Sequence, residues 1–354
     1  TMPPILFTGG SENMKKQIPI ILRCSAFCLI FCLLFGQLTQ MYRRNDDETN
    51  EIHAFYDEPK DSIDVLCIGS SPLLRGVSPM LMYQEHGFTS YMRASALQAP
   101  SVSYGLLAES LEYQTPQVVV LLCDNLFFAY DYVEQEGDMR RAMDGMRFSS
   151  YKWNIIQEVT AADERQTALS YIFPLFRYHE RWKEINPAEL EAQPLLKHSY
   201  NKGQVYLRAI SPQSYPEGFM EPTGEVVQYD ENALYYTEKS IALCQEKGID
   251  VVLLHLPKMS WSYEKSQAMQ ALADQYDIPY LDFDTEQMRN EIGLHPELDY
   301  FDQGHMNLDG SVKVSDWLGD YLAKTYALPN HREDPAYAQW ETDLQQYLAK
   351  MEES

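Results

Sequence analysis

Little in this 354-residue chain points to a cross-linked or nucleic-acid-binding protein. Its six cysteines form no Cys-x-x-Cys pair: Cys24, Cys28 and Cys32 recur at helical spacing inside one apolar segment, while Cys67, Cys123 and Cys244 fall in predicted strands or a helix. That excludes a thiolate metal centre and a disulfide scaffold. Positive charge is scarce too, with 28 Lys and Arg against 52 Asp and Glu and a formal net charge of −24. Such a chain repels a phosphate backbone and argues against a peripheral basic membrane patch. Internal repeats and low-complexity tracts are missing, so a solenoid is not expected. The length suits one large α/β domain with insertions.

Long apolar runs are confined to residues 18–38, almost wholly apolar, with Arg23 near the start as their one charge. About 20 apolar residues suffice to cross a bilayer as a helix. Lys15, Lys16 and Arg23 favour a cytoplasmic N-terminus and an extracellular remainder, although Arg43 and Arg44 flank the other end. A cleaved signal peptide is the competing reading. The run is long and no small-x-small cleavage pattern comes promptly after it, which favours a retained single-pass anchor. Residues 1–17 are a polar lead, in which Met14-Lys15-Lys16 resembles a natural start, and 39–60 reads as a charged linker.

Beyond residue 60 the chain alternates between short apolar runs and amphipathic stretches, the pattern of parallel strands joined by crossover helices. Strands are predicted at Ile63–Ile68, Ser90–Arg93, Val118–Cys123, Ile249–His255 and Pro279–Phe283. Helices are predicted at Pro79–His86, Val102–Tyr113, Glu231–Lys247, Tyr263–Tyr276 and Val312–Thr325. The wholly apolar third strand is expected at the centre of the sheet. Between about 126 and 230 the alternation stops. Helices around Met139–Val159 and Ala161–Trp182 and a Pro/Gly/Tyr-rich stretch, 186–229, read as a helical insertion over the active edge, serving either as a lid or as packing. The domain is thus drawn at 61–328, with a helical tail at 329–354.

Two corners carry candidate chemistry. Gly69-Ser70-Ser71-Pro72 ends the first strand, so Ser71 is presented at the C-terminal edge of the sheet. Asp302-Gln303-Gly304-His305 precedes the last helix of the domain. Serine needs a base, commonly a histidine held by a carboxylate, and Asp302 and His305 are spaced to supply the pair. The plainer readings are a turn with a helix cap at Ser71 and a packed His305 beside loop aspartates. A metal site from Asp299, Asp302, His305 and Asp309 is a third, less favoured reading, and no metal is assigned.

Taken in order along the chain, these corners resemble the SGNH (GDSL-like) hydrolase and acyltransferase superfamily over about residues 63–326, with the insertion unmatched. Gly69-Ser70-Ser71 looks like its first block and Asp302–His305 like its last. The likeness is nearest to membrane-anchored envelope members such as the teichoic-acid D-alanyl transfer protein and the alginate-type O-acetyltransferases. It implies a flavodoxin-like three-layer α/β/α fold of about five parallel strands, with Ser71 as nucleophile, His305 as base and Asp302 as its orienting acid.

Two blocks depart from the family pattern. The second lacks its glycine, leaving Arg93-Ala94-Ser95-Ala96-Leu97-Gln98, so an amide of Ala94 or Ser95 is the substitute oxyanion donor beside that of Ser71, and Gln98 is within reach of the pocket. The third keeps only Asp124-Asn125, making Asn125 an oxyanion candidate. Lys258 and Trp261, after the fourth strand, are candidate substrate contacts or else a solvated loop residue and a core anchor. Tyr130, Tyr132, Tyr235 and Tyr236 are candidates for lining a carbohydrate groove.

The resemblance implies an exported serine esterase or O-acyltransferase working on an acylated cell-envelope polysaccharide or teichoic-acid-like polymer, with no cofactor, alone or beside a membrane-bound acyltransferase partner. The alternative is a catalytically silent SGNH-like domain that binds glycan or scaffolds an envelope complex.

Overall fold

The computed structural model describes residues 10–183 and 198–353, and the chain divides into two compact units. One comprises Thr1–Arg43 with Ile172–Gln193, the other Arg44–Tyr171 with Pro194–Ser354.

In the larger unit, β1 (Val65–Gly69), β2 (Ser90–Ala94), β3 (Val118–Leu122), β4 (Asp250–His255) and β5 (Tyr280–Asp282) form one parallel sheet in the order β2-β1-β3-β4-β5. This is the flavodoxin-like order, with the apolar β3 central as its composition predicts. Successive strand residues point to opposite faces, so each strand feeds two cores. Val65, Cys67, Val118, Val120, Val252 and Leu254 pack with Leu73, Leu74, Met82, Val314 and Leu318 on one side. Leu66, Ile68, Val119, Leu121, Val251 and Leu253 pack with Leu107, Ile241, Cys244, Met269 and Leu272 on the other. Helices Ser71–Gly76, Pro79–His86 and Leu308–Tyr326 form the first outer layer; Pro100–Ser110, Glu231–Glu246 and Tyr263–Tyr276 form the second.

Three stretches differ from expectation. The supposed linker holds a helix, Asp47–Ala54, whose Ile52 and Ala54 are buried with the following Phe55. Its charged residues masked the two apolar ones it buries. Within the insertion, the expected helix over 139–159 is two, Glu136–Gly145 and Ser150–Ala162. These bury Met139, Met143, Ile155, Ile156 and Val159. The expected helix over 161–182 is broken into Ala168–Ile172, Leu175–Tyr178 and a 3-10 turn, His179–Lys183, with Pro174 at the break.

Of the Pro/Gly/Tyr-rich stretch, residues 186–197 lie outside the described residues, and 198–229 contain neither helix nor strand. They do cover the open edge of β2, where the Met92 N–H donates to the Lys202 carbonyl at 3.0 Å. Gly203 (φ +96°) makes this approach possible, since a Cβ there would lie 2.1 Å from the Met92 oxygen. The tail helix Ala338–Glu352 buries Trp340, Leu344 and Tyr347 against Met80 and Tyr83 and so belongs to the domain.

The smaller unit contains a long helix, Gly10–Tyr42, with Ile18–Thr39 apolar and unburied. At 1.5 Å per residue these 22 residues extend about 33 Å, enough to cross a hydrocarbon layer.

Candidate active site

The chain reverses direction across the sheet between β1 and β3, and ligands of such sheets bind outside the strand ends at that switch point. Ser71 follows β1 and Asn125 follows β3, so the two corners flank it. Gly69 lets them close up: a Cβ there would sit 2.5 Å from Cβ of Leu122 at the end of β3. Ser71 then opens a helix with Pro72 in its first turn. The Ser71 N–H belongs to that first turn, whose donors have no intrahelical acceptor.

The opposing group arrives on a two-stranded antiparallel ribbon, β6 (Tyr300–Asp302) and β7 (His305–Met306). Asp302 and His305 face each other across its two-residue turn. His305 Nδ1 lies 2.8 and 2.9 Å from the two Asp302 oxygens, and Nε2 lies 2.8 Å from Ser71 Oγ. A carboxylate can only accept, so Nδ1 carries the proton and Nε2 offers its lone pair to the serine hydroxyl. The Gly304 N–H donates to Asp302 Oδ1 at 2.8 Å and fixes the acid. Side-chain exposure is 29 % for His305 and 47 % for Asp302, leaving the site open to solvent.

The other expected contacts divide. Asn125 Nδ2 donates to the Gln98 carbonyl at 3.1 Å and Oδ1 accepts from Ser70 Oγ at 3.3 Å, which leaves one amide hydrogen of Asn125 uncommitted. The side chain of Ser95 is buried and donates to Gln98 Oε1. Gln98 is not a substrate contact: it is 1 % exposed, and its amide donates to the Arg93 carbonyl and Ser103 Oγ, rigidifying the loop after β2.

Trp261 is likewise no substrate contact. It is buried and stacks on the His255 ring with centroids 3.8 Å apart. Lys258 does lie beside the site, its Cε 3.9 Å from where a Gly304 Cβ would be. Asp299 turns away from the other proposed metal ligands, accepting from Lys313 Nζ at 2.7 Å and the His295 N–H at 2.6 Å. Among the described residues no three or more His, Cys, Asp or Glu side chains gather as a metal site. Burial pushes the Cys67 and Cys244 thiols up to about 12, so neither supplies a thiolate.

Tyr235 and Tyr236 join Tyr104 around Lys239 Nζ in a groove of about 440 Å³. Tyr132 is tied by its hydroxyl between Ser101 and Asn232, with Tyr130 against its ring edge.

Two supporting features escaped the sequence. Glu48, on the helix read as linker, accepts from Arg75 Nη2 at 2.8 Å and from the Ala96 N–H at 2.7 Å. It fastens the Ser71 helix to the loop after β2. Beneath the site, His255 lies fully buried between Asp124 (Nδ1–Oδ1, 2.7 Å) and Asp284 (Nε2–Oδ2, 2.8 Å). Burial opposes the charged ring, but the two carboxylates outweigh it and hold the pKa up at about 10. Asp284 also accepts from the Lys258 N–H, and the next amide, of Met259, donates to the Gln303 carbonyl at 2.8 Å. The buried cluster is thereby wired to the turn that carries Asp302 and His305. Its only sequence signal was that Asp124 and His255 both terminate or follow apolar strands.

No family model matches this sequence, and neither does any curated protein. Among solved structures, a candidate acylhydrolase from Bacteroides fragilis matches at 12 % identity and a TM-score of 0.35, over 80 % of this chain and 100 % of that one. A likeness that faint establishes neither fold nor activity, and what the chain does is argued from its own geometry.

Proposed function

We propose that the chain is a membrane-anchored serine esterase or O-acyltransferase of SGNH type, with Ser71 as nucleophile, His305 as general base and Asp302 as the acid that orients it. The observation that carries this reading is the continuous hydrogen-bonded path from Ser71 Oγ through both nitrogens of His305 to Asp302. Ser71 Oγ attacks the acyl carbonyl carbon as its proton passes to His305 Nε2. The alcohol leaves with that proton, and an acyl-serine ester remains. Water or an acceptor hydroxyl then gives its proton to Nε2, attacks the ester and releases Ser71. The Ser71 amide and the free Asn125 hydrogen are the donors available to the oxyanion.

The apolar helix 18–39, with Lys15, Lys16 and Arg23 towards its start, supports a single-pass anchor with the larger unit on the outer side. Acylated envelope polysaccharide or a teichoic-acid-like polymer is the substrate class that suits this address. A fluorophosphonate probe applied to the full chain in detergent should label Ser71. An unlabelled but folded protein would leave the silent, glycan-binding or scaffolding reading, which the missing glycine in the stretch Arg93–Gln98 supports.

A further inference from the structure

We infer that residues 172–183 form a second membrane contact, a short aromatic and basic segment lying in the lipid interface beside the anchor helix. The proposal rests on the reading of residues 18–39 as a retained span. Phe173 packs edge-on to Phe35 of the long helix with ring centroids 5.2 Å apart, and Phe176 lies 6.3 Å from the same ring. Phe35 is four residues inside the end of the apolar stretch at Thr39, which at 1.5 Å per residue is about 6 Å inside the hydrocarbon boundary. Side chains that touch Phe35 therefore lie at that depth. They also present apolar surface outward, Phe176 being 53 % exposed.

The polar end of the segment is placed to match. Arg181 donates to the carbonyls of Tyr42 and Arg43, just beyond the apolar stretch, which puts its guanidinium at headgroup level. Trp182, 63 % exposed, and Lys183 come next there. A tryptophan with basic neighbours is the composition of a membrane interface belt. Residues 177–183 hold Arg177, Arg181 and Lys183 against a single acid, Glu180, within a chain of net charge −24. The overall acidity that argues against a basic membrane patch thus fails locally, where the chain meets its own anchor. Removing the helix as a signal peptide would strip Phe173 and Phe176 of the ring they pack on.

The test uses the full chain in lipid nanodiscs, with a benzophenone amino acid incorporated singly in place of Leu29, Phe176 or Leu298. Leu29 is 62 % exposed in mid-span and Leu298 54 % exposed in the larger unit. Photocrosslinking to lipid is expected at 29 and at 176, each at least about fivefold above 298. Labelling at 29 with 176 no better than 298 would overturn the inference while leaving the anchor in place. Failure at 29 as well would overturn both.

Discussion

Of the four histidines that aspartates hold in the larger unit, His198, His255, His305 and His331, His255 and His305 make the sharpest contrast. His305 is shared between one carboxylate and a hydroxyl, at the rim, with solvent on one side. His255 is shared between two carboxylates, with no exposure at all. An imidazole that must take a proton and give it back needs a free lone pair and a nearby reactant. One clamped at both nitrogens by anions is fixed as a cation and can only hold things in place. The difference lies in the second partner, serine in one case and aspartate in the other.

That contrast breaks most visibly at Ser71. Ser71→Ala should lower ester turnover by about 10³-fold or more while leaving the urea unfolding midpoint unchanged, since the side chain is small and partly exposed. Equal turnover in the variant would remove His305 from catalysis and make the two histidines alike. The converse change, His255→Ala, strands two buried carboxylates and should cost about 3–5 kcal/mol of stability, read by urea denaturation. A variant as stable as the parent would show that the buried cluster holds nothing.

A pH titration of stability sharpens the same point. His255 has a folded pKa raised from 6.5 to about 10, so its contribution is complete below pH 6.5 and is lost as pH rises through 10. Unfolding free energy should decline across that window in the parent and decline less in His255→Ala. Asp302→Asn leaves geometry but withdraws the charge that fixes the His305 tautomer, and a loss of kcat of about 10²- to 10⁴-fold is expected with stability unchanged. The smallest effect belongs to the residue between the two assemblies. Lys258 keeps its backbone contact to Asp284 whatever its side chain, so Lys258→Ala should raise KM a few-fold with kcat intact.

The rim site was legible in the sequence because its parts sit at strand ends and turns, where Gly69, Pro72 and Gly304 announce the geometry. The sheet was legible too, as β-branched runs at regular spacing. The buried cluster was not, because Asp124, His255 and Asp284 come from three separate strand ends and nothing local links them. Gln98 was misplaced, and Trp261 was left between substrate contact and core anchor, for a related reason: a polar or aromatic residue near a site reads the same whether it faces the ligand or supports the loop. Asp47–Ala54 was hidden by composition, since Asp47, Glu48 and Asn50 outnumber the apolar residues it buries.

Ser71 and His305 are 234 positions apart, the one leaving the first strand and the other preceding the helix Leu308–Tyr326. During synthesis the hydroxyl therefore emerges long before the imidazole that pairs with it, and until then it stays an ordinary alcohol. On the proposed mechanism reactivity arrives only when the ribbon of residues 300–306 docks, so the appearance of turnover would itself mark that folding has run to completion.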